Sequence, residues 1–150
     1  MLPNTKSIYL SAFTKKRSRN GSYPSSNLCE EELFDRRKLN HEGVRKGFDF
    51  LTKHCSLNIN VSDIVVATGL SRRGLYKAFM KHTGISPGKA LRFVRLETAK
   101  GLLCDSKYDL AKIADICGFR NTNSFWVSFR NAEGISPGKF RKDSRLADRF

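Results

Sequence analysis

From His41 onward the apolar positions recur at the spacing of α-helices. Val44, Phe48 and Leu51 fall at i, i+4 and i+7 and make one stripe on a first helix. A short second helix fits Ser62 to Thr68. Ser62 or Asp63 caps its free N–H groups, Ile64, Val65 and Val66 supply its buried side, and Gly69 ends it. Ser71 caps a third helix that runs to about His82. Its Leu75, Ala78 and Phe79 turn inward, leaving Arg72, Arg73, Tyr76, Lys77 and Lys81 outside on a face of basic and aromatic side chains.

The pattern then repeats. Gly84-Ile-Ser-Pro-Gly-Lys89 returns letter for letter as Gly134-Ile-Ser-Pro-Gly-Lys139, 50 residues later. At the same offset of 50, Phe79 matches Phe129 and Leu75 matches Phe125, while Gly69 matches Gly118 at 49, so the second copy has a turn longer by one residue. In each copy a short apolar helix, a glycine turn, a longer helix with an aromatic near its end and a Gly-Ile-Ser-Pro stop follow in order, which is a helix-turn-helix. Gly84 and Gly134 are placed to take the left-handed conformation that closes a helix. Ser86 and Ser136 cap the next one, with Pro87 and Pro137 in its first turn. Between the copies, Pro87 to Leu103 carries Leu91, Val94, Ala99, Leu102 and Leu103 and no internal proline. It is predicted to be one continuous connector helix of about 25 Å. Successive major grooves on one face of B-DNA lie about 34 Å apart, within reach of two recognition helices held by such a rod.

Charge sharpens the picture. The chain has 28 Lys and Arg against 14 Asp and Glu among 150 residues, a formal charge of +14 that points to a polyanion, with nucleic acid ahead of a membrane surface. Residues 1–40 hold 8 basic and 4 acidic side chains and residues 41–143 hold 18 and 9, so the excess is not confined to a tail. Residues 1–40 are rich in Ser, Asn, Lys and Arg and read as a mostly disordered arm or linker, with a short charged helix possible at Glu30 to Lys38. Residues 144–150 form a short basic tail.

The four cysteines, Cys29, Cys55, Cys104 and Cys117, form no C-x-x-C pair and have no histidine at metal-ligand spacing. They read as reduced, partly buried thiols, and no metal or cofactor is expected. His41, His54 and His82 are scattered and given no role. With no apolar run of about 18 residues and no signal-peptide core, a cytoplasmic location is expected. Phe48, Phe79, Phe119, Phe125 and Phe129 sit at helical spacing and belong to the core. Trp126 is turned about 100° from that inward stripe, which leaves a core edge and a phosphate-facing contact equally open. Arg92, Arg95 and Lys100 on the connector read as a solvated face or as partners of Glu97 and other acids.

Residues 41–142 resemble the DNA-binding domain of the AraC/XylS family of bacterial transcription regulators. The resemblance is carried by Gly69-Leu-Ser71 with Leu75 and Phe79, and by Arg95-Leu-Glu-Thr-Ala99 with Leu102-Leu103. In the second copy it is carried by Ile113-Ala114, Gly118-Phe119, Ser124-Phe125, Phe129 and Gly134-Ile-Ser-Pro137. Leu70-Ser-Arg-Arg73 is more similar to the xylose-responsive branch.

The resemblance implies an all-α fold of about seven helices. Two helix-turn-helix, homeodomain-like subdomains occupy residues 44–85 and 109–135 of a domain spanning 41–143; the connector spans 87–103 and a last helix 137–143. The third and sixth helices would each enter a major groove of promoter or operator DNA. By position, the base-contacting candidates are Arg72, Arg73, Tyr76 and Lys77 in the first unit and Thr122, Asn123, Ser124 and Val127 in the second. Arg and Lys donate to guanine, Asn pairs with adenine, and Tyr, Thr and Val pack on a thymine methyl. Ser71, Lys81, Arg120 and Arg130 are the phosphate-contacting candidates.

Two departures stand out. Val65 occupies a position where a small Ala is usual, and Val127 one where a basic residue is common. RNA polymerase is a further partner implied by the family, and a membrane is not. Family members commonly carry an effector or dimerisation domain ahead of this one, and 40 polar residues do not make one. The chain is therefore expected to be a stand-alone member, a truncated product or an excised piece, without a small-molecule effector site of its own. Some DNA-repair proteins join a similar domain to an alkyl-accepting cysteine held among zinc-binding cysteines. Cys29 alone supplies no such cluster and no other catalytic set is present, so a non-enzyme is expected. The alternatives are a sequence-independent architectural nucleic-acid binder and a non-autonomous piece of a larger sugar-responsive regulator.

Overall fold

Seven α-helices make up the secondary structure that the computed structural model describes, which covers residues 41–105 and 107–147. They are α1 (Glu42–His54), α2 (Val61–Thr68), α3 (Arg72–Thr83), α4 (Pro87–Asp105), α5 (Leu110–Ile116), α6 (Thr122–Glu133) and α7 (Pro137–Ala147). The arm at 1–40, with Cys29 and the helix considered at Glu30 to Lys38, and the last three residues of the tail lie outside the described residues. No strand occurs among the described residues, and none of their helices is long and apolar enough to cross a membrane.

Local chemistry sets the helix ends. Ser71, Asp109 and Asn121 cap α3, α5 and α6 by accepting a backbone N–H from Gly74, Lys112 and Ser124. Gly84 and Gly134 end α3 and α6 at φ 72° and 73°, and the hydroxyl oxygens of Ser86 and Ser136 accept the amides of Lys89 and Lys139 at 3.3 Å. The two copies of Gly-Ile-Ser-Pro therefore do the same work.

At α2 the structure corrects the sequence. Its cap is Asn60, whose Oδ1 accepts from the Ser62 amide at 2.7 Å, while Asp63 reaches back to the Asn60 amide at 2.7 Å and completes a capping box. Ser62 and Asp63 are thus inside the first turn. Of the three apolar residues expected on its buried side, only Ile64 is buried; Val65 is intermediate and Val66 is 82% exposed. Consecutive helical residues differ by about 100°, so a run of three cannot share one inward face. The connector and the last helix also run further than 87–103 and 137–143, to Asp105 and Ala147.

Two compact units divide the chain, with α1 and Ile59–Leu91 in the first and Cys55–Asn58 together with Arg92 onward in the second. The first buries Val44, Phe48, Leu51, Ile64, Leu75, Ala78 and Phe79, with the Phe48 and Phe79 rings stacked at 5.4 Å. The second buries Leu96, Ala99, Leu102, Leu103, Ile113, Ala114, Cys117, Phe125 and Phe129, against which Phe119 and Phe140 pack. Its aromatic rings form a chain: Phe119 to Phe125 at 5.2 Å, Phe125 to Phe129 at 5.7 Å and Phe129 to Phe140 at 5.3 Å.

Two connector cations are structural rather than solvated. Arg95 donates from Nε to the Cys55 carbonyl and from Nη2 to the Leu57 carbonyl, both at 3.1 Å. Lys100 pairs with Glu97 on α4 and with Glu133 of α6, the latter at 3.1 Å. Burial lowers the pKa of the Arg95 guanidinium and pushes the Cys117 thiol up, so Cys117 stays protonated and behaves as a small apolar residue. Cys55 and Cys117 are buried, Cys104 is intermediate, and all three are free thiols.

Candidate nucleic-acid interface

The outward face of α3 follows from what its inward face buries. Leu75, Ala78, Phe79 and Thr83 are buried on one side, which leaves Arg72, Arg73, Tyr76, Lys77, Met80 and Lys81 exposed on the other. No carboxylate interrupts this face, because α3 contains none. Arg72 is not loose: its Nη2 donates to Ser62 Oγ on α2 at 2.7 Å. Ser71 Oγ accepts the Gly74 amide at 3.1 Å, a bond that leaves the hydroxyl hydrogen available to donate.

On α6 the inward residues are Phe125 and Phe129. Thr122, Asn123, Val127 and Arg130 are exposed, and Arg120 is exposed in the preceding turn. Ser124 is half-buried and its backbone amide is held by Asn121 Oδ1 at 2.7 Å, so it offers less to a ligand than its neighbours do. Trp126 is half-buried, with the Arg130 guanidinium 5.3 Å from its ring centre.

Each set of expected residues is thus gathered within its own unit on one helix and the turn that leads into it, Ser71 standing at the cap of α3 and Arg120 ahead of α6. The faces differ in chemistry: the first carries several cations, the second mostly neutral hydrogen-bonding groups and Arg130. Three supporting residues escaped the sequence reading. Ser62 was considered as a cap and instead holds Arg72. Asn121 stands at the offset of 50 from Ser71 and takes its capping role, three residues after Gly118 where Ser71 is two after Gly69. Trp126 touches Arg130. Asn121 had a signal in the sequence through the repeat, and Trp126 had one in its i,i+4 spacing to Arg130; Ser62 had none for its contact with Arg72. Among the described residues no group of three or more His, Cys, Asp and Glu is placed to hold a metal ion.

Comparison with known proteins agrees with this architecture. A helix-turn-helix domain family matches residues 64–143. The chain is 28% identical over 109 residues to the probable transcriptional regulator LumQ of Photobacterium leiognathi, covering 73% of this chain and 44% of that protein. It is 25% identical over 118 residues to the xylose operon regulatory protein of Escherichia coli K12, covering 79% and 30%. The chain therefore spans less than half the length of these relatives. Among solved structures, a probable AraC family transcriptional regulator from Rhodopseudomonas palustris CGA009 superposes with a TM-score of 0.63 at 28% identity, over 69% of this chain and 98% of that one. The DNA-binding domain of the global transcriptional factor AdpA, solved in complex with a target DNA, gives a TM-score of 0.66 at 27% identity over 72% and 96%.

Proposed function

The chain belongs to the AraC/XylS family of helix-turn-helix proteins, and from that premise we propose that it is a transcription regulator that binds double-stranded promoter or operator DNA sequence-specifically. The observation that carries this is the pair of capped helices, α3 and α6, each presenting a polar, solvent-exposed face opposite a buried apolar one. Each would enter a major groove, the two grooves being adjacent. Arg72, Arg73, Tyr76 and Lys77 would read bases from α3, and Thr122, Asn123, Ser124 and Val127 from α6. Ser71, Lys81, Arg120 and Arg130 would contact phosphates. The solved AdpA domain, bound to a target DNA, supports DNA as the partner. Contact with RNA polymerase, a cytoplasmic location and the absence of catalysis belong to the same proposal. So does a sugar-responsive sensor supplied by a longer protein, in keeping with the share of the relatives' length that this chain covers.

The test is a random-oligonucleotide selection with the purified chain, followed by titration of the best site against scrambled DNA at fixed salt. One motif with two half-elements about 10 base pairs apart, bound about a thousandfold more tightly than the scramble, supports the proposal. Uniform binding to all DNA would make the chain an architectural binder instead. Affinity should fall steeply with added salt as several phosphate counterions are released.

Because α3 carries the denser charge, Lys77→Ala is expected to weaken the selected site by about tenfold or more. Asn123→Ala should cost less and should relax base preference in its half-element. Equilibrium binding of both variants checks the order, and a larger loss for Asn123→Ala would overturn the assignment of affinity to the first unit.

A further inference from the structure

Trp126 and Arg130 lie four residues apart on α6, a spacing that puts their side chains side by side on the helix surface. The Arg130 guanidinium carbon stands over the indole ring, 5.3 Å from its centre. Arg130 is exposed while Trp126 is half-buried, so the ring is anchored in the helix surface and the cation rests on it. The natural competitor is Glu133, the one carboxylate on α6, three residues beyond Arg130. Glu133 is occupied, since Lys100 holds it at 3.1 Å. The lysine thus takes the carboxylate that would otherwise draw Arg130 away from the ring.

We propose that Trp126 is a positioning residue for DNA binding, whose indole ring holds the Arg130 guanidinium ready to grip a phosphate of the DNA backbone. The inference rests on the proposed DNA-binding function and adds to it how the charge-poor second unit secures its backbone contact. A guanidinium held over an aromatic ring is attracted by the ring's face without spending its N–H donors on another acceptor, which leaves them for a phosphate. A side chain already held in one place also loses less rotational freedom on binding. The device is confined to the second copy: at the offset of 50 the first copy has Tyr76 and Met80, with no cation at the second position.

Trp126 is the only tryptophan of the chain, so its emission reports on this contact alone. The full chain and its W126F, W126L, R130A and W126L/R130A variants would be titrated with the selected duplex over a range of salt concentrations. R130A is expected to lower the slope of log affinity against log salt by about 1. W126L should lower it in the same direction and weaken binding by about threefold to fivefold, while W126F, which keeps an aromatic face, retains most of the affinity. The double variant should bind no more weakly than R130A, because the ring acts through the arginine. DNA should change the tryptophan emission of the wild type more than that of R130A. A W126L protein with the wild-type salt slope, or a double variant that loses the product of both effects, would overturn the proposal. Should W126L fail to fold by circular dichroism, R130A alters only an exposed side chain and decides the matter, an unchanged slope again overturning it. A wild-type chain that does not distinguish the selected duplex from scrambled DNA would overturn the proposed function itself.

Discussion

Gly118→Ala is expected to destabilise the second unit by about 3 kcal/mol or more, whereas Gly69→Ala, at the matching turn of the first copy, should cost only about 1 kcal/mol. Both glycines sit in the left-handed region, at φ 74° and 69°, so both substitutions meet the same backbone strain. Their surroundings separate them. A Cβ on Gly69 would find nothing within 4 Å. One on Gly118 would stand 2.5 Å from the Cys55 carbonyl oxygen, 3.0 Å from that of Leu57 and 3.1 Å from Arg95 Nε. These are the atoms joined by the two hydrogen bonds of Arg95, so relieving the clash means displacing the Cys55–Asn58 loop and loosening a partly buried guanidinium. Hydrogen bonds to a charged group contribute about 1.5–3 kcal/mol, which adds to the strain. Urea denaturation followed by circular dichroism would compare the two variants. Equal losses would mean that the carbonyl cage around Gly118 does not resist the methyl group.

The second large effect is Phe129→Ala, expected to cost about 3–5 kcal/mol. Phe129 is fully buried and is the middle of the run Phe125, Phe129, Phe140, with edge-to-face contacts on both sides. Truncation would leave a ring-sized void between two rings held by different helices, α6 and α7, and would remove two aromatic pairs. Against a typical total of about 5–15 kcal/mol, such a loss would bring the domain near its folding threshold. Thermal unfolding of the variant should show it as a fall in Tm of more than 10 °C, at about 4–8 °C per kcal/mol for a domain of this size. A fall of only a few degrees would show that the neighbouring side chains close the void.

The local signals were legible because their causes are local. Ser71 capping, the Gly-Ile-Ser-Pro stops and the inward stripes of α3 and α6 depend on residues within a few positions of one another, and the structure has them where the pattern put them. The extra residue in the second turn was also visible, and Asn121 moves with it to keep the cap in register. What depends on distant residues was not visible. Nothing around Arg95 in the chain says that it donates to carbonyls 38 and 40 residues earlier. Lys100 pairs within its own helix, as a sequence reader would guess, but also with Glu133 on α6. Val66 misled because its apolar character suited burial while its angular position did not. The candidate interface was legible as a set of outward positions, of which Ser124 proves half-buried. The contact of Trp126 with Arg130 was open to reading from their i,i+4 spacing, whereas Ser62 behind Arg72, ten residues away and on another helix, was not.

The second unit is not built from one stretch of chain, since it takes in Cys55–Asn58 as well as the residues from Arg92 onward. A gene fusion that exchanged the two halves at residue 91 would therefore sever Arg95 and Gly118 from the loop they were fitted to. The repeat looks like a pair of interchangeable cassettes, yet a chimera assembled from two relatives would need its recombination points on either side of that loop as well. The two copies match as sequence, but the second unit is complete only with a four-residue segment drawn from an earlier part of the chain, so they are not independent parts.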